Sequence, residues 1–156
     1  MQTVAIPEVG QQAPDFKLKG ADGQFVTLSE YRGAKPVVLA FFPLAFSPVC
    51  SHQLPAIETE LPRLRALDAE VFGISVDSHH ANREFAHKLQ LSFPLLSDLK
   101  REASTAYGML LDSGYSGRAL FVVARDGRIA YRDIAPTPSE VPSNADLVRA
   151  VEALPR

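Results

Sequence analysis

Cys50, the single cysteine of this 156-residue chain, offers nucleophilic and redox chemistry in one side chain. The reactive form is the thiolate. A free thiol has a pKa near ~8.5, and helix N-termini or nearby cations lower it. The surrounding stretch, Val37 to Arg65, reads VVLAFFPLAFSPVCSHQLPAIETELPRLR. Its apolar run, Val37–Phe42, has the character of a strand buried on both faces. Pro43 and Pro48 bracket a loop, and Cys50 falls where a helix is about to begin. If that helix opens at residues 49–51, its unpaired N–H groups and positive dipole end face the sulfur. Ser47, three residues earlier, supplies a hydroxyl able to donate to the sulfur. The two prolines stiffen the loop and remove N–H groups that would need water. Phe41, Phe42, Leu44 and Phe46 add apolar bulk suited to an uncharged substrate. A plainer reading stays open at this point: lone cysteines often serve as small buried hydrophobes, and a serine ahead of a helix is often a cap.

One cysteine excludes an intrachain disulfide, a CxxC redox pair and any zinc site built on several cysteines. His79, His80 and His87 have no carboxylate or cysteine spaced to complete a metal set, so exposed helix histidines are the reading there. His52 lies two residues from Cys50 and points to another side of the helix, which argues against a Cys–His pair. Gly114-Tyr115-Ser116-Gly117 lacks the spacing and preceding strand of a nucleophile elbow. No phosphate loop or dinucleotide fingerprint is present. No cofactor or metal is expected.

Composition sets the frame. Hydrophobic residues make up 46% and charged residues 22%, with a net charge of -2. That suits one globular domain over residues 1–156. Without a basic block there is no electrostatic footprint for nucleic acid. No apolar stretch reaches membrane-spanning length. The opening MQTVAIPEVG has neither the charged nor the long apolar region of a signal peptide, so a cytoplasmic protein is expected.

The elements that must position the cysteine follow in order. Residues 1–15 read as an arm packed on the domain. Phe16–Leu18 and Phe25–Leu28 flank Asp22-Gly23, a hairpin signal. A single turn, Ser29–Arg32, is closed by Gly33. After Val37–Phe42, apolar residues at Leu54, Ile57, Leu61 and Leu64 mark a helix. Pro55 is tolerable early in that helix, and Pro62 should kink it. Glu70–Val76 is a strand, and Asp77-Ser78 caps a helix from His79 with Phe85, Ala86 and Leu89 inward. Phe93–Leu96 is a short strand. Ser97-Asp98 opens another helix carrying Ala103, Ala106 and Tyr107, stopped by Gly108. After a loop at 109–118, strands Ala119–Ala124 and Arg128–Ile134 join through Arg125-Asp126-Gly127. An irregular connection then leads to a last helix, Asn144–Leu154, with Leu147, Val151 and Leu154 on one face. Early β-α-β units followed by a terminal β-β-α favour a mixed sheet of thioredoxin type over a flavodoxin-like alternation.

Pro43-Leu44-Ala45-Phe46-Ser47-Pro48-Val49-Cys50 resembles the peroxiredoxin active-site motif, P-x-x-x-T/S-x-x-C. Further similar blocks occur in family order: Ala13-Pro14-Asp15-Phe16, Ser75-Val76-Asp77-Ser78, Phe93-Pro94-Leu95-Leu96-Ser97-Asp98, Ala106-Tyr107-Gly108 and Arg118–Val123. The resemblance implies an α/β, thioredoxin-like fold: a central mixed sheet flanked by helices, with an N-terminal β-hairpin extension. It implies a thiol-dependent peroxidase in which Cys50 attacks a hydroperoxide and becomes a sulfenic acid. Ser47 would hydrogen-bond thiolate and peroxide, and Pro43 would shield the sulfur. Arg118 would stabilise the thiolate and the charge moving onto oxygen. Bare sequence does not single out Arg118; on residue type alone it is a surface cation beside a strand.

Two departures carry consequences. Gln53 stands where the family often has glutamate, which alters a hydrogen bond on the arginine side. Pro55 occupies a position where some two-cysteine members place their second thiol. The resemblance is therefore to the small one-cysteine, AhpE-like group. It implies an external reductant: a low-molecular-weight thiol, or a glutaredoxin-like or thioredoxin-like protein. A homodimer is expected on the same ground. The alternative function is a thioredoxin-fold redox sensor or chaperone that passes oxidation from Cys50 to a protein partner.

Overall fold

The computed structural model of the chain describes residues 5–47, 50–137 and 146–155. Three short apolar segments alternate with helices and then give way to a hairpin. The elements are β1 (Lys17–Lys19), β2 (Phe25–Thr27), a 3-10 turn (Leu28–Tyr31), β3 (Val37–Phe41), α1 (Cys50–Ala66), β4 (Glu70–Ser75) and α2 (His79–Leu89). They continue with β5 (Leu95–Ser97), α3 (Glu102–Ala106), β6 (Ala119–Val123), β7 (Ile129–Ile134) and α4 (Leu147–Glu152).

The strands form one sheet in the order β2-β1-β5-β4-β3-β6-β7. β3, β4 and β5 run parallel, while β1, β2, β6 and β7 join by antiparallel pairing. β3 is central, with all five residues buried. Its side chains alternate between two apolar clusters, as a strand covered on both faces requires. Leu39 and Phe41 enter the first cluster with Phe72, Tyr107 and Phe121. Val38 and Ala40 enter the second with Leu54, Ile57, Leu64 and Phe85. Phe41, Tyr107 and Phe121 form a three-ring contact with centroids 5.2 to 5.8 Å apart. Gly73 of β4 has no room for a β-carbon, because Leu95 and Phe42 fill that space.

The described part of the N-terminal arm, residues 5–15, packs on the body as expected, and residues 1–4 lie outside the described residues. Gly10 N donates to Ile129 O at 2.8 Å, and Ala13 N donates to Gly127 O at 2.9 Å. The buried Tyr107 hydroxyl donates to Pro14 O at 2.7 Å, and burial pushes its pKa well up. Gly127 has φ +86, the left-handed backbone that an Asp-Gly hairpin needs.

Some boundaries differ from the sequence reading. α3 begins at Glu102, later than expected, yet Asp98 still serves its N-terminus: its carboxylate accepts from Ala103 N at 3.0 Å and Ser104 N at 2.7 Å. At α2 the cap is Ser78, whose side chain accepts from Ala81 N, and Asp77 is left for other work. α1 remains helical through Pro62. The expected start of the last helix at Asn144 lies outside the described residues, as does Pro48.

Candidate active site

The carboxyl end of β3 delivers the chain into the loop 42–47, and α1 begins at Cys50. The backbone of Cys50 therefore occupies the first position of a 17-residue helix, where N–H groups lack helical acceptors. Pro43 is buried and Ser47 half-buried, whereas Leu44 and Phe46 are 38% and 50% exposed. Phe46 adopts φ +67. For a bulky residue such a backbone costs on the order of 1–3 kcal/mol and persists only where its surroundings hold it. Its ring packs on Phe85 of α2 at 5.1 Å, and Lys88 Nζ lies 5.7 Å above it.

Arg118 reaches the same place from the far end of the sequence. The register Phe41↔Ala119 sets the chain entering β6 beside the chain leaving β3. Arg118 is only 2% exposed, so it is no surface cation. Its Nη1 donates to Gln53 Oε1 at 3.0 Å, and Gln53 Nε2 donates to Phe41 O at 3.3 Å. Gln53 is itself 1% exposed and stands one helical turn after Cys50, on the neighbouring face. The amide thus matches a donor on one side and an acceptor on the other. A carboxylate here would meet the Phe41 carbonyl with no proton to share. Gln53 is neutral, so this contact itself adds no counter-charge to Arg118.

Ser116, considered in the sequence only as part of a nucleophile elbow and set aside, has a structural role. It is fully buried, and its Oγ donates to Phe42 O at 2.9 Å. The two carbonyls that end β3 are therefore each held by a side chain, one from α1 and one from the segment before β6. No motif announces such a serine, because its partner is a backbone oxygen 74 residues away.

The histidines lie elsewhere in chemical terms. His52, His80 and His87 are exposed. The rings of His79 and His80 stack at 4.0 Å. Desolvation, then the charges of His80, Lys19 and Arg83, hold the pKa of His79 below its ordinary value. Among the described residues no group of three or more His, Cys, Asp or Glu is placed to hold a metal ion. No described helix is long and apolar enough to cross a membrane.

The AhpC/TSA family model matches residues 9–132. The chain belongs to the AhpC/TSA family. It is 40% identical over 136 residues to alkyl hydroperoxide reductase E of Mycobacterium tuberculosis, covering 85% of this chain and 88% of that protein. It is 37% identical to a chloroplastic 2-cysteine peroxiredoxin of Chattonella marina, covering 81% of this chain and 70% of that one. Among solved structures, the reduced 2-Cys peroxiredoxin of Plasmodium vivax superposes with a TM-score of 0.84 at 28% identity, over 93% of this chain and 80% of that one. AhpC of Mycobacterium tuberculosis gives 0.83 at 28% identity, over 95% and 93%. The expected fold is therefore the observed one: an α/β, thioredoxin-like AhpC/TSA domain with a mixed seven-stranded sheet.

Proposed function

We propose that the chain is a thiol-dependent peroxidase of one-cysteine type, in which Cys50, Ser47, Arg118 and Pro43 act together on a hydroperoxide. The observation that supports this reading is the buried Arg118–Gln53 pair, which ties a cation to the residue one turn after the cysteine that opens α1. The helix N-terminus and the guanidinium both favour thiolate over thiol.

A lower thiol pKa alone gives limited gain, because nucleophilicity falls with it. The rate must come from orienting and polarising the peroxide. The Cys50 thiolate attacks the terminal oxygen of ROOH, the O–O bond breaks, and the departing oxygen takes a proton to leave as water or alcohol. The sulfur retains OH as a sulfenic acid. Ser47 donates to the reacting oxygens, Arg118 stabilises the developing negative charge, and Pro43 keeps water from the sulfur.

The sequence holds no second thiol. An external thiol therefore attacks the sulfenic sulfur, water leaves, and a mixed disulfide forms. A second thiol attacks that disulfide and restores Cys50. The reductant is a low-molecular-weight thiol or a glutaredoxin-like or thioredoxin-like protein, and the working unit is a cytoplasmic homodimer of single-domain chains. Steady-state peroxide consumption with a panel of such thiols tests this proposal. Turnover with at least one of them, absent in Cys50→Ser, is the expected result. Oxidation of Cys50 that passes only to one protein client, with no turnover by any thiol, would overturn it.

A further inference from the structure

We infer that Asp77 is a positioning residue for the reaction at Cys50, acting by tethering the loop that carries Pro43 and Ser47. The inference rests on the peroxidase reading above and adds a residue to it. Asp77 follows β4, and its sequence context marks it as a helix cap. Ser78 takes that role instead, accepting from Ala81 N at 3.2 Å. The Asp77 carboxylate turns away from the helix: its Oδ2 accepts from Ala45 N at 2.8 Å, in the middle of the loop between β3 and α1.

Asp77 is itself held, at its carboxylate and at its backbone. The Ser75 hydroxyl donates to the same Oδ2 at 2.7 Å, and Asp77 N donates to Ser75 Oγ at 3.3 Å. Ser75 is fully buried, and its Oγ also lies 3.1 Å from Oδ1 of the buried Asn82, a residue of α2. Asn82 Nδ2 donates to Leu96 O at 3.3 Å. The Asp77 carbonyl accepts from Ser97 Oγ at 2.6 Å. Asp77 thus joins the loop to β4 through its carboxylate, to β5 through its carbonyl, and to α2 by way of Ser75.

The loop needs such an anchor. The residue after Ala45 is Phe46, whose left-handed backbone is strained and must be held by its surroundings. Phe46 packs on Phe85 of α2, the helix that follows Asp77 directly. The Asp77 bond and the Phe46 ring therefore fix two consecutive loop residues to the same neighbouring structure. Ser47 is the next residue. A hydroxyl that must meet a peroxide at hydrogen-bond distance loses its effect when displaced by a fraction of an ångström.

The test compares two reactions of Cys50 in each variant: its second-order rate with hydrogen peroxide, and its rate of alkylation by iodoacetamide across pH. Alkylation reports the thiolate alone, whereas the peroxide rate also needs the loop. In Asp77→Ala the peroxide-to-alkylation ratio falls about tenfold. Both contacts of the carboxylate, from Ala45 N and Ser75 Oγ, reach Oδ2, so the amide oxygen of Asp77→Asn replaces it and the ratio stays within about threefold of wild type. A merely structural role would lower the melting temperature of Asp77→Ala and leave the ratio unchanged. That result would overturn the inference, as would an Asp77→Asn ratio as low as that of Asp77→Ala. If Asp77→Ala does not fold, Ser75→Ala, which removes one support of the carboxylate, is expected to lower the ratio about threefold, and an unchanged ratio overturns the inference equally. The wild-type rate separates the two readings. A peroxide rate equal to that of free cysteine sinks the peroxidase itself, whereas a fast wild type matched by Asp77→Ala sinks only the tether.

Discussion

The two faces of the sheet and its carboxyl edge are built on opposite rules. Each face is apolar and owes its order to packing, with Leu39, Phe41 and Phe121 on one side and Val38, Leu54 and Phe85 on the other. At the edge where β3, β4 and β5 end, buried polar residues gather: Gln53, Ser75, Asn82, Ser97, Ser116 and Arg118. A buried polar group costs free energy unless it is paired, so each such residue must meet a partner of the right kind. Gln53 meets Arg118 and Phe41 O, Ser116 meets Phe42 O, and Ser97 meets Asp77 O. The faces tolerate exchange of one apolar side chain for another of similar size. The edge does not, because every member is specified by a donor or acceptor across from it. Stability is thus concentrated in the faces, and on the proposed reading the chemistry lies at the edge.

That division is open to attack by substitution, from the largest expected effect on rate to the smallest. Arg118→Ala removes the cation beside the helix start, and the rate of Cys50 oxidation by peroxide should fall about hundredfold, measured by stopped flow. A fall of less than about threefold would return Arg118 to a structural role. Gln53→Leu keeps bulk but deletes both hydrogen bonds, and about a tenfold loss is expected because Arg118 loses the contact that ties it to α1. Leu39→Ala strikes a face. It should lower unfolding free energy by about 3 kcal/mol in urea titration and leave the rate per folded molecule unchanged. If Leu39→Ala slowed the reaction as much as Gln53→Leu, faces and edge would not be separable.

The same contrast decides what could be read from sequence. The faces were legible because burial imposes a period. Val37–Phe42 is an unbroken apolar run, and Leu54, Ile57, Leu61 and Leu64 recur at helical spacing, so strand, helix and their order follow. The Asp-Gly turn between β6 and β7 was legible for a local reason, since Gly127 has to take positive φ. Cys50 stood out by its chemistry and its place between strand and helix.

The edge was not legible residue by residue. Arg118, read alone, is an ordinary cation before a strand; only the pairing of β3 with β6 brings it beside α1. Ser116 and Asp77 bond backbone groups distant in sequence, and no spacing rule records such contacts. Asp77 even carried a competing local signal. Asp-Ser before a helix reads as a cap, and either residue could have served. Ser78 does so, which releases the carboxylate toward Ala45. The late start of α3 has a similar cause, because Asp98 accepts from Ala103 and Ser104, five and six residues on, where a capping pattern places the partners closer.

The most direct test of the account is the second-order rate of hydrogen peroxide loss on rapid mixing with reduced protein, for wild type and Cys50→Ser. A wild-type rate orders of magnitude above that of a free thiol, abolished in Cys50→Ser, is the predicted result. A wild-type rate equal to that of free cysteine at the same pH would contradict it.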